Sequence, residues 1–280
     1  MCSLASSAPS SPPQPDHAAP ASAIASAATR ATIRCLIAST ARHPTVLGFD
    51  TAIADATVAV TRGAETVVER SLRAEPGVRP RHAAELLGEI EGAAEGVGGW
   101  DRIDLLAVGL GPGSFTGLRI GVATARALAQ GLGKPLAGVS SLEALDRGLS
   151  EHPAAAGRFR LALIDARRSE LFAALHDPGG ARTWGPDVIA PAALAERIAA
   201  LPATPVAAGD GAIRFRRDLT EAGAEVLAED ETAHRQFARQ VCLLAAEAAP
   251  SALDEVRPLY LRPPDAEIWR ERDRGGQARG

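Results

Sequence analysis

An apolar strand that delivers an aspartate to a tight turn, followed by a returning apolar strand, occurs twice in this chain. VLGFD-TAIADA-TVAV ends its first strand at Asp50, and FRLALID-ARRS-ELFAALH ends its first strand at Asp165. The two aspartates stand about 115 residues apart, and an internal repeat of this kind outranks any local motif in setting the fold. It predicts two similar α/β lobes around a cleft, with Asp50 and Asp165 both facing it. An aspartate closing a strand is also a common turn former, because its carboxylate accepts from the backbone two residues on. Both readings are open for each aspartate.

Around the repeat the chain reads coherently. TVLGFD, ATVAVT and ETVVER are short strands. RHAAELLGEIEGAAEGV follows with Leu86, Leu87, Ile90, Ala94 and Val97 at helical spacing. IDLLAVG is a buried strand, GLGPGSFTG a glycine-rich loop, LRIGVATARALAQGL a second helix and PLAGV a further strand. After the second hairpin come a helix at PAALAERIAAL and a strand at PVAAG. A last helix, AHRQFARQVCLLAAEAA, has Phe237, Val241, Leu244 and Ala248 on one face. The expected limits are a disordered extension over 1–44, a first lobe over 45–150, a second over 151–265 and a flexible tail over 266–280. The extension is Ala/Ser/Pro-rich with Asp16 as its one acid. Such a segment buries too little to offset the entropy of ordering, and it reads as an extended start or an acid-poor transit peptide.

Composition excludes several classes. Thirty basic against 34 acidic residues give a formal charge of −4, not the basic domain of a protein that grips nucleic acid alone. Cys2, Cys35 and Cys242 show no CxxC spacing, so neither a disulfide framework nor a cysteine zinc site is expected. No apolar run reaches the ~20 residues that span a bilayer, so no membrane association is expected and the chain reads as cytoplasmic.

Duplicated β-β-β-α-β-α lobes with an aspartate at each first hairpin resemble the actin, Hsp70 and sugar-kinase superfamily, whose fold is RNase H-like. There the hairpins flank nucleotide phosphates. The loop Gly109–Gly117 joins a strand to a helix and so offers backbone N–H groups to an anion. It is not a Walker loop, since Gly133-Lys134 runs into Pro135, and it lacks a GxSxG frame around Ser114. Ser114 and Thr116 serve equally well as helix N-caps. Asp50, Thr51, Gly113, Ser114 and Asp165 are the candidate nucleotide-facing residues, in a vestigial site.

The run GLGPGSFTGLRIGVATARALAQGLGKPLAGVSSLEAL resembles the signature of the TsaB family. VLGFDTAIADATVAV, LALIDARRSELFAAL and VRPLYLRPPDAE resemble its two hairpins and its C-terminal ending, so the likeness runs from about Thr45 to Glu267. The resemblance implies the dimerization subunit of the bacterial tRNA threonylcarbamoyladenosine machinery, without catalytic apparatus. It implies pairing with a catalytic paralogue, TsaD, and an ATPase, TsaE, to modify adenosine 37 of tRNAs that read ANN codons. The threonylcarbamoyl group arrives as an adenylate made elsewhere. No cofactor of its own is implied, with ATP or ADP confined to an assembled interface, tRNA reached through the complex, and a homodimer formed when the partner is absent.

Residue by residue, the catalytic paralogue's metal-binding His-x-x-x-His pair is missing. The six histidines are His17, His43, His82, His152, His176 and His234, and no two are four apart. His82 stands at the matching helix, but position 86 is Leu86, so His82 reads as a polar-face or interface residue. On the second helix Gly117, Gly121 and Ala125 form a strip of small residues, flanked by Arg119 and Arg126. Such a strip admits a partner helix closely, and the arginines suit partner carboxylates. It serves equally well against the chain's own sheet. The rival class is an independent enzyme, a small-molecule kinase or a glycoprotease-like metallopeptidase.

Overall fold

A computed structural model describes residues 43–73, 82–235 and 237–262; the expected extension and tail therefore fall almost wholly outside the described residues. The first sheet holds β1 (Thr45–Asp50), β2 (Ala56–Arg62), β3 (Glu65–Leu72), β4 (Leu105–Gly109) and β5 (Leu136–Val139) in the order β3-β2-β1-β4-β5. The second holds β6 (Arg160–Arg167), β7 (Glu170–His176), β8 (Arg182–Ile189), β9 (Val206–Ala208) and β10 (Glu225–Val226) in the order β8-β7-β6-β9-β10. The two orders superimpose element by element. In both, the first three strands pair antiparallel and the last two join in parallel. The duplication expected from the two aspartates is the architecture of the molecule.

Burial explains the strand sequences. β1 and β4 are buried along their whole length because both sheet faces are covered, and they read as apolar runs, residues 46–49 in β1 and Leu105–Gly109 in β4. β3 is an edge strand, and its charged residues Glu65, Glu69 and Arg70 discourage further pairing. β8, the matching edge, was not expected from the sequence. Gly185-Pro186-Asp187 looks like a turn, and Pro is tolerated there because an edge strand need not donate on both sides.

The helices are α1 (His82–Glu95), α2 (Phe115–Leu132), α3 (Ser141–Ser150), α4 (Pro191–Ala199), α5 (Asp210–Arg214), α6 (Arg216–Glu221) and α7 (Ala238–Glu247). Helix α2 begins three residues before the expected Leu118. The Ser114 hydroxyl accepts from the Gly117 N–H (3.3 Å) and fixes the start, and left-handed Gly133 fixes the end. Helix α7 is shorter than expected. It buries Ala238, Val241, Cys242 and Ala245, while Leu244 is half-buried and Ala248 exposed.

Two helices cross between the halves. α3, which follows the first sheet in sequence, packs on β6, whereas α7, which follows the second, packs on β1, β2 and β4. They also pack on each other, so Leu142, Leu145 and Leu149 meet Phe237, Val241 and Ala245 in one core between the sheets. Separate outer cores lie under α1 and α2 and under α4 to α6. The central core is stiffened by a buried ion cluster in which the Arg160 guanidinium donates to both Asp146 oxygens (2.8 and 3.0 Å). His176 Nδ1 lies 3.1 Å from the same carboxylate. These partners hold the Asp146 carboxyl below its usual range despite the opposing effect of burial.

Candidate functional site

The two lobes leave a cleft of about 670 Å³ between their first hairpins. One wall is the turn Ala52–Ala54 with the loop Gly113–Gly117; the other is the turn Asp165–Arg168 with Asp210. The segment Leu259–Arg262 lies along it.

The first-lobe wall differs from the expectation. Asp50 does not face the cleft: it is 1% exposed, and both its oxygens are occupied. Oδ1 accepts the Ala52 N–H at 2.6 Å and Oδ2 accepts the Ser141 hydroxyl at 2.6 Å. That hydroxyl in turn accepts the Gly111 N–H at 3.1 Å. Burial pushes the Asp50 carboxyl up from its ordinary range, opposed by those bonds. The turn-forming role is the one the structure bears out, with the addition that Asp50 ties hairpin, glycine loop and the first residue of α3 together. Gly109 makes room for it, since a Cβ there would sit 1.8 Å from Asp50 Oδ2.

Thr51 is equally sealed. Its hydroxyl donates to the Gly117 carbonyl at 2.8 Å. The loop glycines have the same explanation: a Cβ on Gly113 would lie 2.3 Å from the Ala52 carbonyl oxygen, one on Gly117 2.1 Å from the Thr51 carbonyl oxygen, and one on Gly121 2.3 Å from Thr51 Oγ1. The Ser114 N–H donates to the Ala52 carbonyl at 2.6 Å, so that donor already has a partner, and the Ser114 side chain is an N-cap. The small residues of α2 are therefore close-approach positions for the chain's own hairpin. Gly117, Gly121 and Ala125 are buried inside the lobe and are not a partner surface, which corrects the interface reading of that strip.

Arg119 and Arg126 are exposed on the opposite side of α2, with Ala123, Ala127 and Gly131 between and beyond them. Arg119 stacks on the Phe115 ring (4.1 Å to its centroid) and donates from Nε to the Tyr260 hydroxyl at 3.2 Å. The side chain of His82 lies outside what the structure describes.

The second-lobe wall is charged. Asp165 does line the cleft, where Arg214 Nη1 donates to both its oxygens (2.7 and 3.0 Å) and the Arg167 guanidinium lies 3.2 Å away. The Asp165 N–H donates to Asp210 Oδ1 at 3.0 Å. Burial, reinforced by the nearby Asp165 charge, raises the Asp210 carboxyl to about 6. Asp210 was not singled out in the sequence. Its signal was Gly209-Asp210-Gly211 directly after a buried strand, where a Cβ on Gly209 would lie 1.8 Å from the Leu163 carbonyl oxygen. Asp210 and Arg214 thus hold Asp165 from its backbone and its side chain.

Chemically, the cleft offers the Asp210 carboxyl beside the arginine-paired Asp165, with Ile53, Phe115, Phe172 and Tyr260 as its apolar lining. Among the described residues no three His, Cys, Asp or Glu side chains converge as a metal site would require. His234 is held in the second lobe, its Nδ1 accepting the Gly209 N–H at 3.0 Å, with the Ala228 carbonyl 2.9 Å from Nε2.

Comparison with known proteins places this geometry. Residues 68–267 match the family described as TsaD: tRNA N6-adenosine threonylcarbamoyltransferase. The chain is 34% identical over 167 residues to the Escherichia coli tRNA threonylcarbamoyladenosine biosynthesis protein TsaB, covering 57% of this chain and 71% of that protein. It belongs to the TsaB family. The TsaB protein of Haemophilus influenzae is 33% identical over 130 residues, which cover 46% of this chain and 52% of that one. YeaZ from Pseudomonas aeruginosa shares the fold, with a TM-score of 0.64 at 24% identity over 78% of this chain and all of that one. The match to TsaD reflects the duplicated fold common to both families, whereas the curated TsaB relatives identify the branch. No described helix of this TsaB-family chain is long and apolar enough to cross a membrane.

Proposed function

We propose that the chain is a non-catalytic subunit of the machinery that places threonylcarbamoyl on N6 of adenosine 37 in tRNAs reading ANN codons. In this reading it acts in the cytoplasm, pairs with the catalytic paralogue TsaD and helps form the surface that recruits the ATPase TsaE. It has no cofactor of its own, ATP or ADP binds only at the assembled interface, and tRNA is reached through the complex. Membership of the TsaB family supports the pathway. The observation that carries the non-catalytic part is the loss of the first-lobe aspartate from the cleft: Asp50 and Thr51 are both buried and hydrogen-bonded inside the chain.

The docking face moves to the outer side of the first-lobe helices. Ala123, Ala127 and Gly131 recur every fourth residue on the exposed side of α2, between Arg119 and Arg126 and beyond them. Leu87 on α1 is 45% exposed and Leu132 36%, which adds apolar area that a partner would cover. Small residues there permit close helix approach, and the arginines suit carboxylates of the partner. When the partner is absent the same face supports a homodimer.

The test is replacement of the native gene by this chain, with threonylcarbamoyladenosine measured by mass spectrometry of digested tRNA. Wild type is expected to restore the nucleoside, and Ala127→Trp to fold normally but fail. Restoration by Ala127→Trp at wild-type level would refute the docking face. ATP hydrolysis by the purified chain alone, abolished by Asp210→Asn, would refute the non-catalytic reading in favour of an independent kinase-like enzyme.

A further inference from the structure

The segment after α7 first joins the first lobe. Ser251 pairs with Leu136 beside β5, Val256 is buried in the outer core, and the Leu259 N–H donates to the Leu110 carbonyl at 2.7 Å. Tyr260 then stacks on Phe115 (5.1 Å between centroids) and accepts from Arg119. Two residues later the segment reaches the other lobe: Arg262 donates from Nη1 to Glu170 Oε2 at 2.5 Å and from Nη2 to the Ala166 carbonyl at 2.9 Å.

Those two acceptors bracket an unusual turn. Arg167, Arg168 and Ser169, none of them glycine, have φ of 62°, 49° and 59°. The left-handed region crowds the Cβ of any L-residue, so three in succession persist only where the surroundings hold them. Arg262 grips the residue before this turn and the residue after it, and the turn carries Arg167 and Arg168 at the mouth of the cleft.

We propose that Leu259–Arg262 is a releasable latch that holds the lobes closed over the cleft and transmits the state of the α2 outer face, through Arg119 and Tyr260, to the Arg167–Ser169 turn. A partner carboxylate that takes Arg119 away from the Tyr260 hydroxyl frees the ring, the segment lifts, and the turn relaxes to unstrained backbone. Only this trigger rests on the docking proposed above; the latch itself belongs to the isolated chain.

The test uses the full chain without partner, by hydrogen exchange over 165–171 and by the rate of tryptic cleavage after Arg167 and Arg168. Arg262→Ala, Tyr260→Phe and Arg119→Ala are each expected to raise both rates by roughly tenfold, with an unchanged melting temperature, as local opening without global unfolding requires. Tyr260→Phe keeps the ring and removes only the hydroxyl, so it decides the matter if a larger change disturbs folding. Wild-type rates in Tyr260→Phe and Arg119→Ala would overturn the latch, even if Arg262→Ala loosens the turn. Adding TsaD separates the two readings. A complex that forms with the turn as protected as before overturns the release of the latch by the partner, and absence of a complex overturns the docking alone.

Discussion

Gly121→Ala ought to stabilise a helix and is expected here to destabilise the protein. In an exposed helix interior the change favours the fold by about 1 kcal/mol. Gly121, however, faces Thr51, and the added Cβ would lie 2.3 Å from Thr51 Oγ1. That oxygen cannot swing aside freely, because it is buried and bonded to the Gly117 carbonyl at 2.8 Å. Either the helix shifts, with the ~1–3 kcal/mol typical of overpacking, or the bond breaks, at ~0.5–1.5 kcal/mol. Taking the helix shift at about 2 kcal/mol against the propensity gain of about 1, the net expectation is a loss of about 1 kcal/mol. Thr51→Ala removes the offending oxygen and leaves a Cβ 3.5 Å from the new methyl, an ordinary contact. Alone it loses one buried hydrogen bond, about 1 kcal/mol. With the clash gone, the double variant recovers the helix propensity and should be no less stable than Thr51→Ala. Urea unfolding of the four proteins therefore predicts a favourable coupling of about 2 kcal/mol. Additive effects would mean that this face of α2 does not meet the hairpin, and that the strip is available to a partner after all.

Three further outcomes are expected. Asp146→Ala leaves Arg160 buried without its carboxylate and should cost ~3–5 kcal/mol in chemical unfolding, whereas a loss under 1 kcal/mol would remove the cluster from the account of the central core. Asp210 has its carboxyl raised from 3.8 to about 6, so the folded state binds the proton more tightly and wild-type stability falls as pH rises through that window. Asp210→Asn should accordingly gain on wild type above pH 6 and lose that gain below pH 4; an equal gap at both ends would refute the assignment. The isolated chain should bind tRNA weakly with a shallow dependence on salt, because its net charge is −4 and few phosphates can be neutralised, and a tight complex with a steep slope by filter binding would contradict the indirect role in tRNA recognition.

Much of the fold was legible because it depends on short-range pattern. The apolar runs of β1 and β4, the periodic α1 and α2 and the paired hairpins are local signals, and together they yield two matched lobes. α3 carried the same kind of signal, Leu142, Leu145 and Leu149 behind the Ser140 cap, but ten residues containing Gly148 make a faint helix. β8 was hidden by Gly185-Pro186. β10, α5 and α6 have two, five and six residues, too few to show a period. The crossing of α3 and α7 onto each other's sheets has no local signature at all.

The site was less legible, for a related reason. The fate of Asp50 is decided by Ser141, 91 positions away, and that of the α2 glycines by Thr51, 66 positions before the first of them. Spacing on α2 correctly marks a strip of small residues; it does not say which side of the helix meets the chain itself. Asp50 and Asp165 look equivalent in the repeat, yet the first meets a serine inside a loop junction and the second meets Arg214 at the cleft wall. A duplicated sequence sets duplicated backbone, while the partners of each copy are free to diverge.

The central claim is that this chain works by presenting the outer face of α2 and not by chemistry in its cleft. Size-exclusion chromatography with light scattering, on mixtures with TsaD from the same host, tests it most directly when a face variant and a cleft variant are run side by side. Ala127→Trp is expected to elute apart from TsaD, and Asp210→Asn to co-elute with it as wild type does. Co-elution of Ala127→Trp together with loss of the complex in Asp210→Asn would contradict the account.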